Sequence, residues 1–296
     1  MKKLKDKFSF YQIIIIIIFT FITLTMIIPL LNILAISLSD SSVSAKMSGL
    51  EILPRNLSLL NYKVILSHPV LLPSLLNSIF ITVVGTAINM LLTTTAAYVL
   101  TRPKLVFKKV LMVFLIFMML FDPGIVPEYL VIKDLGLMGS QWSVILVNAV
   151  NVYYLIIMMR FFNEIPQEMF EAAEIDGCGH LNLLFKVVFP LSKAGIATIT
   201  MFYAVLRWNE YFKASIYIGS AKKTTLQVIL RQFIVLDDTV SIIGAQNILN
   251  YNELAKLDYN ALKYATIIVA IIPILILYPL VLKYYAGDVM AGGIKE

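Results

Sequence analysis

Six stretches of the chain hold apolar residues without the strict alternation of a half-buried strand or the single stripe of a water-facing helix. They cover residues 11–38, 72–100, 110–127, 142–162, 194–218 and 262–285. A helix needs about 20 apolar residues to cross a hydrocarbon core of about 30 Å, and each stretch is near or beyond that length. The pattern predicts an all-α polytopic membrane protein with about six transmembrane helices. The second stretch is moderately polar, with Asn77, Asn89 and a threonine run. The third ends in Asp122-Pro123-Gly124, a chain-breaking signal.

Composition strengthens the membrane reading. Of the 296 residues, 59% are hydrophobic and 14% charged, against roughly 25% charged in a soluble domain. The mean hydropathy is +0.86. Too few polar residues remain to cover a water-soluble surface, and disordered or collagen-like classes fail on the same ground. Cys178 is the only cysteine, so no intrachain disulfide can form. The first apolar run is too long for the core of a signal peptide and no small-residue cleavage site follows it; it reads as a retained first span.

The net charge of +6 does not point to nucleic acid, because the basic residues form no stripe with interleaved aromatics. They fit the charge asymmetry of membrane loops instead. Lys2, Lys3, Lys5 and Lys7 precede the first span, and Arg102, Lys104, Lys108 and Lys109 follow the second. Between the third and fourth spans there is only Lys133. Both termini are therefore expected in the cytoplasm. Two hydrophilic segments then lie on opposite sides, residues 163–193 inside and 213–261 outside.

The cytoplasmic segment is the most informative part of the chain. Pro166 suits the start of a short helix, and Glu168, Glu171 and Glu174 recur every third residue along one side. Phe170, Ala173 and Ile175 are expected on the other side. Ala172 and Ala173 permit close approach, and Gly177 and Gly179 are stop signals. Asp176 is placed to hydrogen-bond the turn. A second helical piece, 181–189, is expected to stop at Pro190.

An ordinary amphipathic connector would explain this much. The series Glu171-Ala172-Ala173-x-x-Asp176-Gly177, with Pro190 thirteen residues later, goes further. It resembles the EAA loop of ABC-importer permeases, departing from the usual pattern only at Cys178, where alanine is common. Leu53-Pro54-Arg55-Asn56, Asn61-Tyr62, Asn77-Ser78, Trp208-Asn209-Glu210-Tyr211 and the tail 287–295 extend the resemblance over most of the chain. These resemble the carbohydrate permeases of the maltose type, in the branch that imports larger oligosaccharides. The resemblance implies one permease domain over residues 1–296, in the bacterial cytoplasmic membrane. It implies that Glu171, Ala172, Ala173, Asp176 and Gly177 couple the chain to an ATPase. It also implies a sister permease in a heterodimer, two cytoplasmic ATPase subunits that carry the ATP and Mg, an extracytoplasmic solute-binding protein and an oligosaccharide cargo. This chain itself would hold no cofactor. Another polar cargo, such as glycerol phosphate or a polyamine, is the alternative.

Rival chemistries are weaker. Glu171, Glu174, Asp176, Cys178 and His180 match no zinc-ligand spacing. Residues 219–225, Gly-Ser-Ala-Lys-Lys-Thr-Thr, lack the glycine before the lysine that a phosphate loop requires. An intramembrane enzyme needs a nucleophile–base or paired-acid arrangement at membrane depth, and the spans offer only Arg207 and Glu210, which at that spacing are expected to form an intrahelical ion pair. Polar groups at membrane depth mark lined cavities by default. Trp208 and Tyr211 are therefore expected on one helix side as sugar-stacking rings, with Asn209 and Glu210 between them, and Asn148 and Asn151 as further pathway candidates. His68 is expected in a solvated or partly buried loop.

The orientation is directly testable. In a Cys178→Ala background, cysteines at Ser140 and Asp258 should react with an impermeant thiol reagent added outside, and one at Lys104 should not. The reverse pattern would invert the topology.

Overall fold

Lipid supplies no hydrogen bonds, so a spanning chain must pair its own backbone groups, and helices do this locally. The computed structural model describes residues 10–236 and 258–292. In chain order the helices are α1 (Phe10–Ser37), α2 (Ser41–Ser44), α3 (Leu60–Leu66), α4 (Leu71–Thr101), α5 (Lys108–Leu120), α6 (Ile125–Asp134), α7 (Trp142–Leu146) and α8 (Val152–Asn163). They continue as α9 (Gln167–Ile175), α10 (His180–Leu183), a π-helical turn (Leu184–Val188), α11 (Phe189–Leu191), α12 (Lys193–Trp208), α13 (Phe212–Tyr217), α14 (Leu226–Ile234) and α15 (Tyr259–Gly292). Among the described residues the only β pairing is an isolated bridge between Ser39 and Leu57. The N-terminal lysines, residues 237–257 of the expected outer loop and the last residues of the tail lie outside the described residues.

Among the described residues, three helices are by themselves long and apolar enough to cross a membrane: Phe10–Ser37, Leu71–Thr101 and Tyr259–Ile276. The other expected spans are broken. α5 and α6 meet at a bend of 112°, where Asp122 Oδ1 accepts the Gly124 N–H at 2.9 Å and Gly124 takes φ +79°. The expected fourth span is two helices separated at residues 147–151, with Asn148 in the left-handed region at φ +52°. The expected fifth span stops at Trp208 and resumes at Phe212. The helical piece expected to end at Pro190 instead runs to Leu191, turning by 89° into α12. Proline cannot donate to the carbonyl four residues back, and the preceding turn widens: the Phe189 N–H reaches Leu184 O.

The chain divides into two compact units. In the first, residues 1–69 with 230–271, a polar network folds the segment after α1 back onto its end. Asn32 Nδ2 donates to Ser48 O and Glu51 O at 2.9 and 2.7 Å. Asn61 Nδ2 donates to Ser37 O and Ser39 O, and the Tyr62 hydroxyl meets Ser37 Oγ at 2.8 Å. The family-like Asn61-Tyr62 pair is thus structural in this unit. His68 is buried rather than solvated, 6% exposed, with its ring edge-on to Phe233 at 5.8 Å.

In the second unit, residues 70–229 with 272–296, α4 packs against α8 and α12. Its polarity is explained by that contact: Ser78, Thr82, Gly85, Thr86, Asn89 and Thr93 are buried on one side of the helix. Thr93 Oγ1 meets the Tyr203 hydroxyl at 2.8 Å, and the same hydroxyl accepts the Asn151 N–H at 2.9 Å. Asn77, from the family-like Asn77-Ser78 pair, donates to Lys222 O and Thr224 O, while Ser78 Oγ accepts the Leu226 N–H.

Arg207 fastens the broken helices. It is 3% exposed. Nη1 donates to Val144 O, and Nη2 donates to Ile145 O at 2.9 Å, Val147 O at 3.3 Å and Asn89 Oδ1 at 3.0 Å. These are the carbonyls that the early end of α7 leaves without helical partners, and a cation at a helix C-terminus is favoured by the helix dipole. Gly85 makes the space: a Cβ there would lie 3.3 Å from Arg207 Cδ and Nε. The expected Arg207–Glu210 ion pair is absent among the described residues, because the guanidinium is committed to α7 and Glu210 Oε1 accepts the Lys213 N–H at 3.0 Å.

Arg207→Met should destabilise this unit by about 1–3 kcal/mol for each acceptor left buried without a donor. Arg207→Lys, a charge without a fork, should lose less. Thermal unfolding of the purified complex should rank wild type above Lys above Met; a Met variant as stable as wild type would show that the carbonyls find other partners. Packing at the α8–α12 contact gives a second test. A Cβ on Gly195 would fall within the Phe161 side chain, so Gly195→Ala should cost about 1–3 kcal/mol of overpacking and lower the same unfolding temperature.

Candidate functional site

Helix α9 is oriented by its own composition. Phe170 and Ala173, one turn apart, are buried at 8% and 9% exposure in a core that includes Leu155, Met158, Phe162 and Leu184. Glu168, Glu171, Ala172 and Glu174 are exposed. Ile175 departs from expectation: at 86% exposure it faces away from the core, because a residue two positions after Ala173 lies on the far side of the helix.

Both ends of α9 are closed by backbone geometry. Pro166, extended at φ −56° and ψ 139°, stands just before the helix rather than inside it. At the other end the Cys178 N–H bonds to Ala173 O at 2.9 Å and the Gly177 N–H to Glu174 O at 3.0 Å, the paired bonds of a Schellman cap. Gly177 sits at φ +75°, with nothing within 4 Å of where a Cβ would be. The constraint at this position is therefore conformational, not steric. Asp176 contributes its backbone N–H, bonded to Ala172 O. Its carboxylate makes no hydrogen bond to the turn, whose N–H groups are already taken by helix carbonyls.

Arg102 holds the helix from beside it. Its guanidinium carbon lies 3.9 Å from the Phe170 ring centroid and 4.5 Å from that of Tyr98, a cation–π sandwich. Burial lowers the Arg102 pKa, opposed by Tyr98 and Glu174. The Tyr98 hydroxyl meets His180 Nδ1 at 3.1 Å. Arg102, Lys104, Glu171, Glu174 and His180 line a cleft of about 330 Å³ around this junction. The signal for Arg102 in the sequence was its place at the end of an apolar span, immediately before Pro103. Among the described residues, no group of three or more acids, histidines or cysteines could hold a metal ion.

The expected substrate residues are dispersed. Trp208 is 2% exposed, enclosed within this unit, and cannot present its ring to a passing solute. It closes α12 while Tyr211 lies beyond the break, so the two do not share a helix side. Asn151 caps α8, its Oδ1 accepting the Tyr154 N–H at 3.2 Å. Asn148 is exposed in the break itself. Asn209, Glu210 and Tyr211 do come together, in a hollow of about 430 Å³ with Tyr154, Phe202 and Phe212. Asn209 Nδ2 donates to Val205 O at 2.9 Å. Tyr154 and Phe202, 5.5 Å apart and tilted, had no distinguishing signal in the sequence, since each is an aromatic residue in an apolar run.

Comparison with known proteins agrees with this architecture. No family model matches the chain. The polygalacturonan/rhamnogalacturonan transport system permease protein YtcP of Bacillus subtilis is 38% identical over 274 residues, covering 91% of this chain and 92% of that protein. Protein LplC of the same organism is 39% identical over 269 residues, covering 91% and 89%. Among solved structures, a bacterial ABC transporter involved in the import of the acidic polysaccharide alginate matches with a TM-score of 0.85 and 29% identity, over 96% of this chain and all of that one. With the bent apolar helices and the glycine-capped helix α9, these similarities place the chain in the family of carbohydrate ABC-importer permeases.

Proposed function

We propose that this chain is one of two different permease subunits that together form the pore of an oligosaccharide importer. An extracytoplasmic binding protein delivers the sugar, and two cytoplasmic ATPase subunits hold the ATP and Mg that this chain does not bind. The chain crosses the bacterial membrane several times with both termini inside. Helix α9 is the handle on which the ATPase acts.

The observation that carries this reading is the construction of α9: a short helix pinned inward by Phe170 and Ala173, with a row of carboxylates outward and a glycine cap. A partner can move such a helix only by gripping its exposed side, and the buried pair then passes the displacement into the core with α8. A two-state pore shifts only as far as its partner binds the two states unequally. Glu168, Glu171 and Glu174 offer the ATPase that differential contact. Polygalacturonan/rhamnogalacturonan and alginate in the names of the similar transporters support an oligosaccharide cargo. Ala173 faces this chain's own core, so a larger side chain there would push α9 off its seat.

Gly177→Val, a branched side chain at positive φ, and Ala173→Leu, an overpacked core position, should each cut substrate-stimulated ATP hydrolysis and uptake by tenfold or more. Gly177→Asn should retain most activity, because asparagine tolerates the left-handed region. The check is ATP hydrolysis and sugar uptake in vesicles containing the complete importer, with subunit assembly measured in parallel. Normal uptake by both variants at normal protein levels would overturn the coupling assignment.

A further inference from the structure

The hollow at the end of α12 has a composition that selects among sugars. Tyr154 and Phe202, with ring centroids 5.5 Å apart, and Tyr211 and Phe212, 6.3 Å apart, supply its aromatic lining, and Asn209 and Glu210 the polar groups. Its depth follows from helix rise. Tyr154 lies nine residues before the cytoplasmic end of α8, and Phe202 nine residues after the start of α12. At 1.5 Å per residue both stand about 14 Å in from those ends and Asn209 about 24 Å in, so the hollow runs from near the middle of a core of about 30 Å toward its far side. Transporters build solute sites where discontinuous helices free polar groups, and the break at Asn209–Tyr211 is such a discontinuity.

The residues that line the hollow include one acid, Glu210, and no lysine, arginine or histidine. Glu210 uses Oε1 to accept the Lys213 N–H, and none of the three ion pairs among the described residues includes it. Lys213, the adjacent cation, is paired with Glu128 at 2.9 Å. Arg207 does not line the hollow: it is 3% exposed, and its Nη1 and Nη2 groups are bonded to backbone carbonyls and Asn89. The hollow thus combines aromatic faces, which stack on the C–H faces of pyranose rings, with a carboxylate acceptor for hydroxyl groups and no available cation for a sugar acid.

We infer that this hollow is a subsite for an uncharged glycosyl ring, stacked on Tyr154 and Phe202 with its hydroxyls donating to Glu210, and that it excludes the carboxylate of a uronic acid. The inference rests on the oligosaccharide reading above and refines it. The ring belongs either to a neutral oligosaccharide or to the neutral residue of a chain that alternates neutral and acidic sugars. A chain of uronates alone would bring like charge against Glu210 in a low-dielectric setting, where repulsion is strong.

The test uses the complete importer with its binding protein in vesicles, in a Cys178→Ala background with Leu206→Cys at the rim of the hollow. The rate of thiol labelling is measured with stachyose, with trigalacturonate, and with a tetrasaccharide of alternating rhamnose and galacturonate. Stachyose or the alternating tetrasaccharide should slow labelling at least threefold, which tells apart the two sources of the neutral ring, and trigalacturonate should not. Glu210→Gln should make trigalacturonate protective, and Tyr154→Ala should abolish protection by the neutral ring. Equal protection by trigalacturonate with Glu210 intact overturns the inference. So does the absence of protection by every sugar while ATP hydrolysis is still stimulated, which would leave the importer reading standing. Absence of both protection and stimulation would overturn the importer reading and the subsite with it.

Discussion

A helix that stops inside a membrane leaves carbonyls without donors, and lipid offers none. Arg207 resolves that problem for α7, and much of the second unit is arranged around it. Its fork reaches three carbonyls and Asn89 at once, which lysine's single ammonium could not do in one geometry. Gly85 leaves α4 close enough for the guanidinium to fit. Asn89, which makes α4 look too polar for a lipid-facing helix, serves as the fourth acceptor. Because these acceptors are fixed, residues 147–151 can leave helical geometry, and Asn151 can restart α8 as its cap.

The same economy governs the cytoplasmic end. α9 has nine residues, too few for independent helical stability in water. It exists because Phe170 and Ala173 reach the core and because Gly177 closes its last turn. Arg102, sandwiched between Tyr98 and Phe170, links the end of α4 to α9. A pull on α9 therefore reaches both α8 and α4 through packed side chains rather than through a flexible tether.

Helix breaks are also where this permease exposes polar groups. The break after Trp208 turns Asn209, Glu210 and Tyr211 out of helical register and opens the hollow beside Tyr154 and Phe202. In an unbroken helix Trp208 and Tyr211 would have shared one side. The break instead buries the tryptophan as packing and leaves the tyrosine at the surface. Continuity of hydropathy across 194–218 concealed this, because apolar residues resume after the break.

Membrane residence, helical class, the stretches that became α1, α4 and α15, and the amphipathic helix α9 with its glycine end were all legible in the sequence. Each depends on a local property: hydropathy over a window as long as the bilayer is thick, a period near 3.6, or the one residue type that accepts positive φ at low cost. The permease family was legible for another reason, the spacing of Glu171, Ala172, Ala173, Asp176 and Gly177. Tertiary structure alone decided the partners of the polar residues. Arg207 faced Glu210 in sequence, yet four distant acceptors outweighed that one neighbour. Arg102, Tyr154 and Phe202 gained significance only from what the fold brought beside them. Periodicity states which side of a helix a residue occupies; only packing states what that side meets.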